Sequence, residues 1–541
     1  MILQADDPPE PGAGVPPPEP GAGVPWWQDA VFYQIYPRSF ADGNGDGIGD
    51  LPGICERLDY LAWLGVDAIW ISPFFCSPMK DFGYDVSDYC DVDPRFGTLA
   101  DFDALVAKAH HLGIRVMIDW VPAHTSSEHP WFLEARASRH SAKRDWYVWR
   151  DRPADGGMPN NWRAAFTHGP AWAWDETTEQ FWLHSFLPEQ PDLNWDNPAV
   201  VAAMHQVLRF WLDRGVDGFR ADVVHNIGKD PALPDVEPRL SHIAHCGLND
   251  DPRTHAHLRE IRTLLDGYPG NRTMVGEVYL LDTTRVAPYY GTADQPELHM
   301  SFNFPPLFET WSSAGWRQRI DVTWAVMDPR DAWPTWVLSN HDVIRHRTRY
   351  GSEARARAAA LLLLGLRGTP FLYMGEELGL ENALVPAERV VDPGGRDGCR
   401  APLPWTAEAP HGWGVDAWLP YPPDAEQRCV DLQRDDPLSM LALYRRLLQL
   451  RRDSAALRRG SFEWLETPDG VLAWRRIHGD DACLVVVAFE GNDQPINLAP
   501  FAGYVTAISS DGAGEGQPLP DRIEPDRALW LTRSSAAGPL G

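Results

Sequence analysis

Charged residues end several apolar segments of this sequence, where packing alone gives no reason for them. One segment ends in Asp119, a second in Arg220 and Asp222, a third in Glu277 and a fourth in Asp342. A single acidic residue in such a place is usually structural. Several carboxylates with an arginine instead indicate one shared catalytic mouth, provided that the fold brings the segment ends together.

The apolar segments alternate with amphipathic helical stretches. Three of these stretches close on Gly65, Gly113 and Gly215, where a helix end requires a left-handed residue. Helices that alternate with short apolar runs predict a parallel sheet with crossover helices. We predict eight strands, in the ranges 30–37, 66–73, 114–122, 216–223, 273–278, 298–304, 335–342 and 369–377.

Eight parallel strands over this length favour an α/β fold that closes as a (β/α)8 barrel, in which the strand ends line the catalytic face. An open doubly wound sheet is the alternative, but the sequence shows no Gly-x-Gly-x-x-Gly phosphate loop. We assign the barrel to residues 26–122 and 198–455. The stretch between them, 123–197, is rich in Trp, Pro and Asn and predicts an inserted subdomain.

The two ends of the chain differ from the barrel in composition. Residues 1–25 contain the unit PPEPGAGVP twice, which is typical of a disordered arm because Pro and Gly at this density cannot form a packed core. Residues 456–541 contain alternating apolar runs separated by Gly and Asp turns. They predict a C-terminal antiparallel domain, which we expect to be a β-sandwich.

Composition excludes several kinds of partner. The formal net charge of −28 argues against nucleic acid and against an anionic membrane surface, because both require clustered Lys and Arg. The sequence shows neither a secretion leader nor an apolar run long enough to span a membrane. The seven cysteines are scattered, as is typical of reduced thiols. We therefore predict a cytoplasmic protein, either a monomer or a homodimer.

Four strings, DWVPAHTS, DGFRADVV, GEVY and LSNHD, resemble in this order the signature regions of the α-amylase superfamily of glycoside hydrolases (family 13). QPDLNW at 190–195 resembles a further signature of its α-glucosidase and oligo-1,6-glucosidase branch. The resemblance covers roughly residues 26–541. It implies an α-glucosidase that releases terminal glucose from short oligosaccharides of the maltose, isomaltose or sucrose type, without an organic cofactor.

The resemblance also implies a role for each acidic residue. Asp222 is the expected nucleophile, Glu277 is the expected acid and later base, and Asp342 binds sugar hydroxyls more tightly as the ring flattens. In such retaining enzymes the first two carboxyl groups lie about 5–5.5 Å apart. Arg220 lies two residues before Asp222 on the same strand face, so it can keep that carboxylate ionised and aimed.

Other residues are matched to sugar binding by the same resemblance. His124 and His341 resemble histidines that hydrogen-bond sugar hydroxyls. Asp81 and Tyr84, in DFGYD, match residues that close the non-reducing end of the pocket, with Tyr84 as the stacking floor. Arg400, in RDGCRAPLPW, resembles the arginine that pairs with Asp81. A pocket closed in this way admits one terminal glucose, which implies exo cleavage.

The glycine-rich segment DGNGDGIGD predicts a structural Ca²⁺ or Mg²⁺, because these ions prefer hard oxygen ligands. By resemblance, exo-glucosidases often bind a metal at this loop, and a polar turn without metal is the alternative. The segment differs from an EF-hand in having no glutamate at the twelfth position. The candidate ligands are four side chains at alternate positions and one carbonyl: Asp42, Asn44, Asp46, Asp50 and Ile48.

Two alternatives retain the same catalytic residues. One is a transglucosylase or isomerase that returns the glucosyl group to a sugar, like trehalose or isomaltulose synthases, and the other is an oligo-1,6-glucosidase. In the family, Thr after the nucleophile often accompanies maltose specificity and Val accompanies α-1,6 cleavage, and this chain has Val223. A non-catalytic transporter subunit is disfavoured because all three carboxylates are present.

Overall fold

The computed structural model describes residues 23–240, 250–490 and 495–533. Its main sheet has eight parallel strands: β1 Phe32–Ile35, β2 Ala68–Ile71, β3 Arg115–Trp120, β4 Gly218–Ala221, β5 Thr273–Gly276, β6 Met300–Ser301, β7 Thr335–Val337 and β8 Thr369–Tyr373. The strands pair in chain order, and β8 returns to pair with β1. Between β6 and β7 the described backbone forms no ladder, and the Thr335 hydroxyl instead donates to the Ser301 carbonyl at 2.9 Å. The predicted (β/α)8 barrel is confirmed in a nearly closed form.

The crossover helices follow the predicted pattern. The long helices are α1 Leu51–Leu64, α2 Leu99–His111, α3 Pro198–Asp213, α4 Arg253–Asp266, α5 Ser313–Met327, α6 Glu353–Gly365 and α7 Met440–Asp453. Shorter helices span Trp26–Asp29, Pro130–Ala137, Thr283–Val286, Phe304–Leu307, His346–Tyr350, Val430–Asp435 and Ala455–Arg459. Gly65, Gly113 and Gly215 follow α1, α2 and α3 with φ angles of 102°, 77° and 96°, so the three predicted helix ends are confirmed.

The segment between β3 and α3 folds over the mouth of the barrel. It contains a three-stranded antiparallel sheet formed by Trp149–Asp151, Trp172–Asp175 and Gln180–Leu183. An isolated bridge between His124 and Asp192 ties both ends of this segment together beside β3. The insertion therefore supplies one wall of whatever site lies at the strand ends.

The C-terminal part forms a separate antiparallel sheet. Its strands are β9 Glu463–Leu465, β10 Val471–His478, β11 Asp481–Ala488, β12 Tyr504–Ser509 and β13 Arg527–Arg533, in the order β9-β10-β11-β13-β12. Trp530 on β13 donates to the carbonyl of Leu361 on α6 at 3.0 Å, which fixes the sheet to the barrel. The predicted N-terminal repeat lies outside the described residues, apart from 23–25. Within the described ranges, no helix is long and apolar enough to cross a membrane.

Candidate active site

A cavity of about 770 Å³ opens at the carboxyl ends of the barrel strands. Most of the predicted catalytic and sugar-binding residues line it: Asp81, Tyr84, His124, Asp222, Val223, Glu277 and Asp342. The other three, Arg220, His341 and Arg400, are buried behind these lining groups and bond to them. The barrel therefore gathers into one place residues that are spread over more than 300 positions of the sequence.

Arg220 binds three carboxylates that come from three neighbouring strands. Its Nη1 donates to Asp119 on β3 and to Asp222 after β4, both at 2.6 Å, and its Nη2 donates to Glu277 after β5 at 2.5 Å. Asp119 is the register partner of Arg220, and Asp222 lies two residues further on the same strand face. The pairing of the strands thus sets the geometry of this cluster. Asp119 ends a predicted strand, but the sequence alone assigns no role to it.

One guanidinium contacts three acids in this cluster, and burial shifts the pKa values of two of them, Asp119 and Asp222. Burial raises the pKa of Asp119 to about 6, against the opposing charge of Arg220. Burial also raises the pKa of Asp222 well above its usual range; Arg220 again opposes the shift, and Glu277 adds to it. Asp119 and Asp222 therefore hold a proton more tightly than separate, solvated carboxylates would. A site that must deliver a proton requires this property.

Val223 has a left-handed backbone conformation directly after Asp222, with φ 33° and ψ 42°. A β-branched residue in this region is strained, at a cost of roughly 1–3 kcal/mol. The conformation directs the Val223 N–H to Oε2 of Glu277 at 3.1 Å. Glu277 is thus held by a guanidinium on one side and by a strained backbone amide on the other.

Two arginines, and not one, hold the closed end of the cavity. We expected Arg400 to pair with Asp81, and this expectation is wrong: Arg396 bonds Asp81 at 2.6 Å and Asp342 at 3.0 Å. The Nε of Arg400 donates to the His341 carbonyl at 2.8 Å, which directs its guanidinium to Asp342 at 3.1 Å. Arg396, four residues earlier, is left to reach across to Asp81.

Asp342 has an environment opposite to that of Asp222. Burial opposes its ionisation, but His341, Arg396 and Arg400 together lower the pKa of Asp342 well below its usual range. Asp342 is therefore a permanent negative charge at the cavity wall. The two carboxylates differ because two arginines and His341 contact Asp342, whereas a single arginine contacts Asp222 and two further acids.

Tyr84 lies flat against His341, with ring centroids 5.5 Å apart and an interplanar angle of 8°. Gln34 donates to Nδ1 of His341 at 2.8 Å, so Nε2 carries the proton and lies 2.6 Å from the Tyr84 hydroxyl. Burial lowers the pKa of His341 to about 3, which keeps the ring neutral. In this structure His341 contacts Tyr84 and Asp342, and Tyr84 is the member of the stacked pair that lines the cavity.

Gln190 connects two of the predicted residues, although sequence analysis did not single it out. Its Nε2 donates to Asp81 at 3.0 Å and lies 3.1 Å from Nε2 of His124. Gln190 is the first residue of the QPDLNW string, so its place in that string was the signal that could have found it. Arg396 was also missed, and it packs against the ring of Phe166 at 4.8 Å.

The predicted metal-binding loop, residues 42–50, directly precedes α1 and does not line the cavity. Asp42 accepts two backbone N–H bonds inside the loop, of 2.6 and 2.8 Å. Oδ1 of Asp50 accepts from Gly43 and Gly53, whereas Oδ2 is buried without a hydrogen-bond partner, and burial raises the pKa of Asp50. In the described part of the chain, no group of three or more His, Cys, Asp or Glu side chains is arranged to share a metal.

Known proteins resemble this chain along most of its length. Residues 34–460 match the family model described as alpha amylase, catalytic domain. A probable alpha-glucosidase of Rhizobium meliloti (strain 1021) is 44% identical over 517 residues, which are 88% of this chain and 93% of that protein. An oligo-1,6-glucosidase of Parageobacillus thermoglucosidasius is 35% identical over 553 residues, covering 92% of this chain and 97% of that protein.

The solved structures agree with the sequence relatives. The crystal structure of an alpha-glucosyl transfer enzyme superposes with a TM-score of 0.84 at 41% identity, covering 94% of this chain and all of that one. The eight-stranded barrel, the carboxylates after its strands and these matches point to the same conclusion. The chain belongs to the α-amylase family of glycoside hydrolases, on its α-glucosidase branch.

Proposed function

We propose that the protein is an exo-acting α-glucosidase that cleaves short oligosaccharides with retention of configuration. The observation that carries the proposal is the shape and charge of one cavity. Arg220 holds Asp222 and Glu277 together at the base of the cavity, and the Arg396–Asp81 ion pair closes one side of it. A closed end accepts a terminal glucose and excludes the interior of a polymer.

In the proposed reaction Asp222 is the nucleophile and Glu277 is the acid. Arg220 bonds both carboxyl groups, through Nη1 to Asp222 and through Nη2 to Glu277, and so holds the nucleophile and the acid side by side. Asp222 forms a bond to the anomeric carbon as the glycosidic bond breaks, and Glu277 gives its proton to the departing oxygen. Glu277 then takes a proton from water, which attacks the anomeric carbon and releases Asp222.

Asp342 supports the transition state in this proposal. It keeps its negative charge because of its two arginines, so its hydrogen bonds to sugar hydroxyls strengthen as positive charge develops on the ring. Asp81, His124 and Tyr84 line the same cavity and would contact the remaining hydroxyls and the face of the sugar.

The linkage preference is assigned to the region around Val223, which lines the cavity beside Glu277. Its apolar side chain offers no hydrogen bond to a 1,4-linked sugar. Val223→Thr should therefore raise the ratio of kcat/KM for maltose to that for isomaltose. The change should correspond to about 1–2 kcal/mol of transition-state binding, the scale of one net hydrogen bond. An unchanged ratio would show that position 223 does not discriminate between the linkages.

The second candidate is glucosyl transfer, because a solved structural neighbour is an alpha-glucosyl transfer enzyme. The same glycosyl enzyme would then react with a sugar hydroxyl in place of water. Product analysis on maltose and sucrose separates the two, since transfer yields new oligosaccharides, whereas hydrolysis yields only monosaccharides.

The metal and the location are further parts of the proposal. A structural Ca²⁺ or Mg²⁺ in the loop 42–50 would satisfy the unpartnered Oδ2 of Asp50. Chelation or Asp46→Ala should then lower the melting temperature but preserve low-temperature activity. Unchanged melting and no metal in purified protein would contradict this.

Free thiols at all six described cysteines support a reducing compartment such as the cytoplasm.

The decisive experiment removes the proposed nucleophile. Asp222→Gly should lower turnover by at least about 10⁴-fold, and added azide should restore product formation from an activated α-glucoside by occupying the vacated space. The expected product is the β-glucosyl azide, because attack comes from the face where Asp222 stood. An α-configured azide, or activity near that of the unmodified enzyme, would remove Asp222 from the nucleophile role.

A further inference from the structure

Two adjacent glutamates follow strand β8 and are both buried, but only one of them accepts hydrogen bonds. Glu377 accepts from the hydroxyls of Tyr33 and Tyr60, at 2.7 and 2.9 Å. The Gly375 N–H donates a third bond to Glu377, at 2.8 Å. Neither carboxyl oxygen of Glu376 has a hydrogen-bond partner among the described residues. A buried polar group without partners lowers stability, so packing alone does not explain a glutamate at position 376.

Glu376 lies beside the segment that carries Asp342. Strand β7 leads into the loop 340–344, which contains Asp342, and Ser339 directly precedes this loop. The Ser339 hydroxyl oxygen accepts from the His346 backbone N–H at 2.8 Å and lies 3.0 Å from Nδ1 of the same residue. These contacts join the two ends of the loop. Oε1 of Glu376 lies 3.8 Å from that Nδ1.

The His346 ring is neutral, because burial and three neighbouring arginines lower the pKa of His346 well below its usual range. A neutral ring accepts the Ser339 hydroxyl hydrogen at Nδ1 when Nε2 carries the proton. The contact between the two side chains is therefore a hydrogen bond between neutral groups, and it competes with any charged acceptor that appears beside Ser339.

Arg345 stands at the other end of the same loop and contacts the residues that precede Glu376. Its Nη1 donates to the Met374 carbonyl at 2.7 Å. The guanidinium occupies space that Gly375 leaves open, since a Cβ on Gly375 would lie 3.1 Å from Nη1. Nε and Nη2 of Arg345 are buried without a hydrogen-bond partner in the described part of the chain. Arg345 therefore has donors that a nearby carboxylate would attract.

Burial raises the pKa of Glu376 to about 8, and Arg345 and the Ser339 hydroxyl only partly offset the burial. Two further titratable groups face Glu376. Burial raises the pKa of Glu377 against its hydroxyl and amide donors, and burial raises the pKa of Tyr444, on α7, well above its usual range. Glu376 is therefore neutral at neutral pH and becomes charged under mildly alkaline conditions.

We propose that Glu376 is a positioning residue for Asp342, and that ionisation of Glu376 at alkaline pH displaces the loop 340–344 and lowers activity. The inference rests on the proposed function, in which Asp342 binds sugar hydroxyls in the transition state. A charged Glu376 requires donors in the protein interior. The Ser339 hydroxyl then turns from its imidazole partner to the carboxylate, and Arg345 is drawn toward the same charge. Both ends of the loop move as a result.

Glu376→Gln tests the inference, because the amide is a neutral side chain of the same size. The substrate is nitrophenyl α-glucoside, whose leaving group departs unprotonated, so kcat/KM depends little on the protonation of Glu277. In the unmodified enzyme kcat/KM should fall about tenfold between pH 7 and pH 9, and should recover on return to pH 7. In Glu376→Gln it should fall by less than about twofold, from a value at pH 7 within about twofold of the unmodified enzyme.

Tyr444→Phe is the matched control. The Tyr444 hydroxyl also faces Glu376 and is buried without a hydrogen-bond partner among the described residues. The substitution removes a neighbour of the acid and leaves the acid itself, so the alkaline loss of activity should remain. Loss in Tyr444→Phe without loss in Glu376→Gln assigns the effect to the carboxyl group.

Urea unfolding provides a second measurement that does not depend on activity. Glu376 has a raised pKa in the folded protein, so its contribution to stability is present below the ordinary Glu value of about 4.3 and is lost as the pH rises through the folded value. The unfolding midpoint of Glu376→Gln should therefore rise relative to that of the unmodified protein between pH 5 and pH 8. The difference should become constant above pH 9.

Three results would overturn the inference. One is a kcat/KM of the unmodified enzyme that stays flat to pH 9, a result that requires no variant to fold. Another is an equal alkaline loss in the unmodified enzyme and in Glu376→Gln. The third is a difference in unfolding midpoint that does not change with pH, which would show that Glu376 does not ionise in the folded protein. Absence of turnover at every pH is distinct from these, because it contradicts the proposed function as well.

Discussion

Strand β4 carries an acidic residue at each end of the barrel, and the two environments are opposite. Asp217 directly precedes β4 at the amino end and is bonded by Arg115, Arg272 and His110, at 2.9, 2.7 and 2.7 Å. Burial opposes its ionisation, but these three groups lower the pKa of Asp217. Asp222 follows β4 at the mouth, shares one guanidinium with two other acids, and has a raised pKa.

Within one strand, the environment of Asp217 favours stability, whereas the environment of Asp222 favours reactivity. At the amino end several donors surround one acid, so its charge is satisfied in the folded protein. At the mouth several acids surround one donor, so the folded protein carries unbalanced negative charge. A positively charged transition state would relieve that imbalance, whereas the ground state cannot. We therefore expect the acidic cluster at the mouth to lower the stability of the fold, and the ion pairs of Asp217 at the amino end of β4 to raise it.

The largest effect should come from neutralising the proposed acid at the mouth. Glu277→Gln should reduce maltose hydrolysis by about 10³-fold or more, because a poor leaving group needs a proton to depart. Formation of the glycosyl enzyme from nitrophenyl α-glucoside should be much less affected, since nitrophenolate leaves unprotonated. Single-turnover measurements on the two substrates test this, and equal losses would count against Glu277 as the acid.

A substitution at the amino end of β4 should change stability and leave activity nearly unchanged. Asp217→Ala leaves Arg115 and Arg272 without their shared partner and should lower the free energy of unfolding by about 3–5 kcal/mol. The kcat/KM of the folded protein should stay within about twofold. Urea unfolding and kinetics on the same preparation measure both quantities.

Asp119→Asn is the matched variant at the mouth, because Asp119 is also buried and also bonded to an arginine. It should change the unfolding free energy little or raise it, and should reduce activity because Arg220 loses one of its three anchors. If Asp217→Ala lowered activity and Asp119→Asn lowered stability, the proposed division between the two ends would be wrong.

Local patterns were sufficient to predict most of the fold. Strand positions follow from short apolar runs, and the helix ends follow from Gly65, Gly113 and Gly215, whose left-handed conformations are a property of the residue type. The carboxylates after the strands were predictable for a related reason, because a polar residue that ends an apolar run is visible without tertiary information. Each of these signals lies within a few residues of the feature that it predicts.

The parts of the site that sequence analysis missed depend on geometry. Arg396 and Arg400 lie four residues apart in one loop, and only the fixation of Arg400 by the His341 carbonyl decides which of them reaches Asp81. Gln190 reaches Asp81 across 109 positions of the chain. The left-handed conformation of Val223 has no sequence signal at all, because the preference of a β-branched residue opposes it.

The strained backbone at Val223 offers a test of whether the mouth of the barrel lowers the stability of the fold. Val223→Gly removes the steric penalty of a β-branched residue in the left-handed region and should raise the free energy of unfolding by about 1–2 kcal/mol relative to Val223→Ala. In ordinary helix or strand positions Gly is less stable than Ala, so the sign of the difference is diagnostic. Thermal and urea unfolding of the pair would measure it, and a less stable Gly variant would show that the position is not strained.

The smallest expected effect is a difference in how stability depends on pH at the two ends. Asp217 has a lowered pKa in the folded protein, so its contribution to stability is present above the ordinary Asp value of about 3.9 and is lost as the pH falls through the folded value. Asp222 has a raised pKa, so its contribution to stability is present below that ordinary value and is lost as the pH rises through the folded value.

Asp217→Asn should therefore be most destabilising at neutral pH and approach the stability of the unmodified protein in acid. Asp222→Asn should match the unmodified protein near pH 4 and become the more stable of the two as the pH rises, with a slope of at most about 1.4 kcal/mol per pH unit for one proton. Urea unfolding at pH 4 to 8 gives both difference curves, and curves that run parallel would show that the two ends of β4 do not differ in their electrostatic balance.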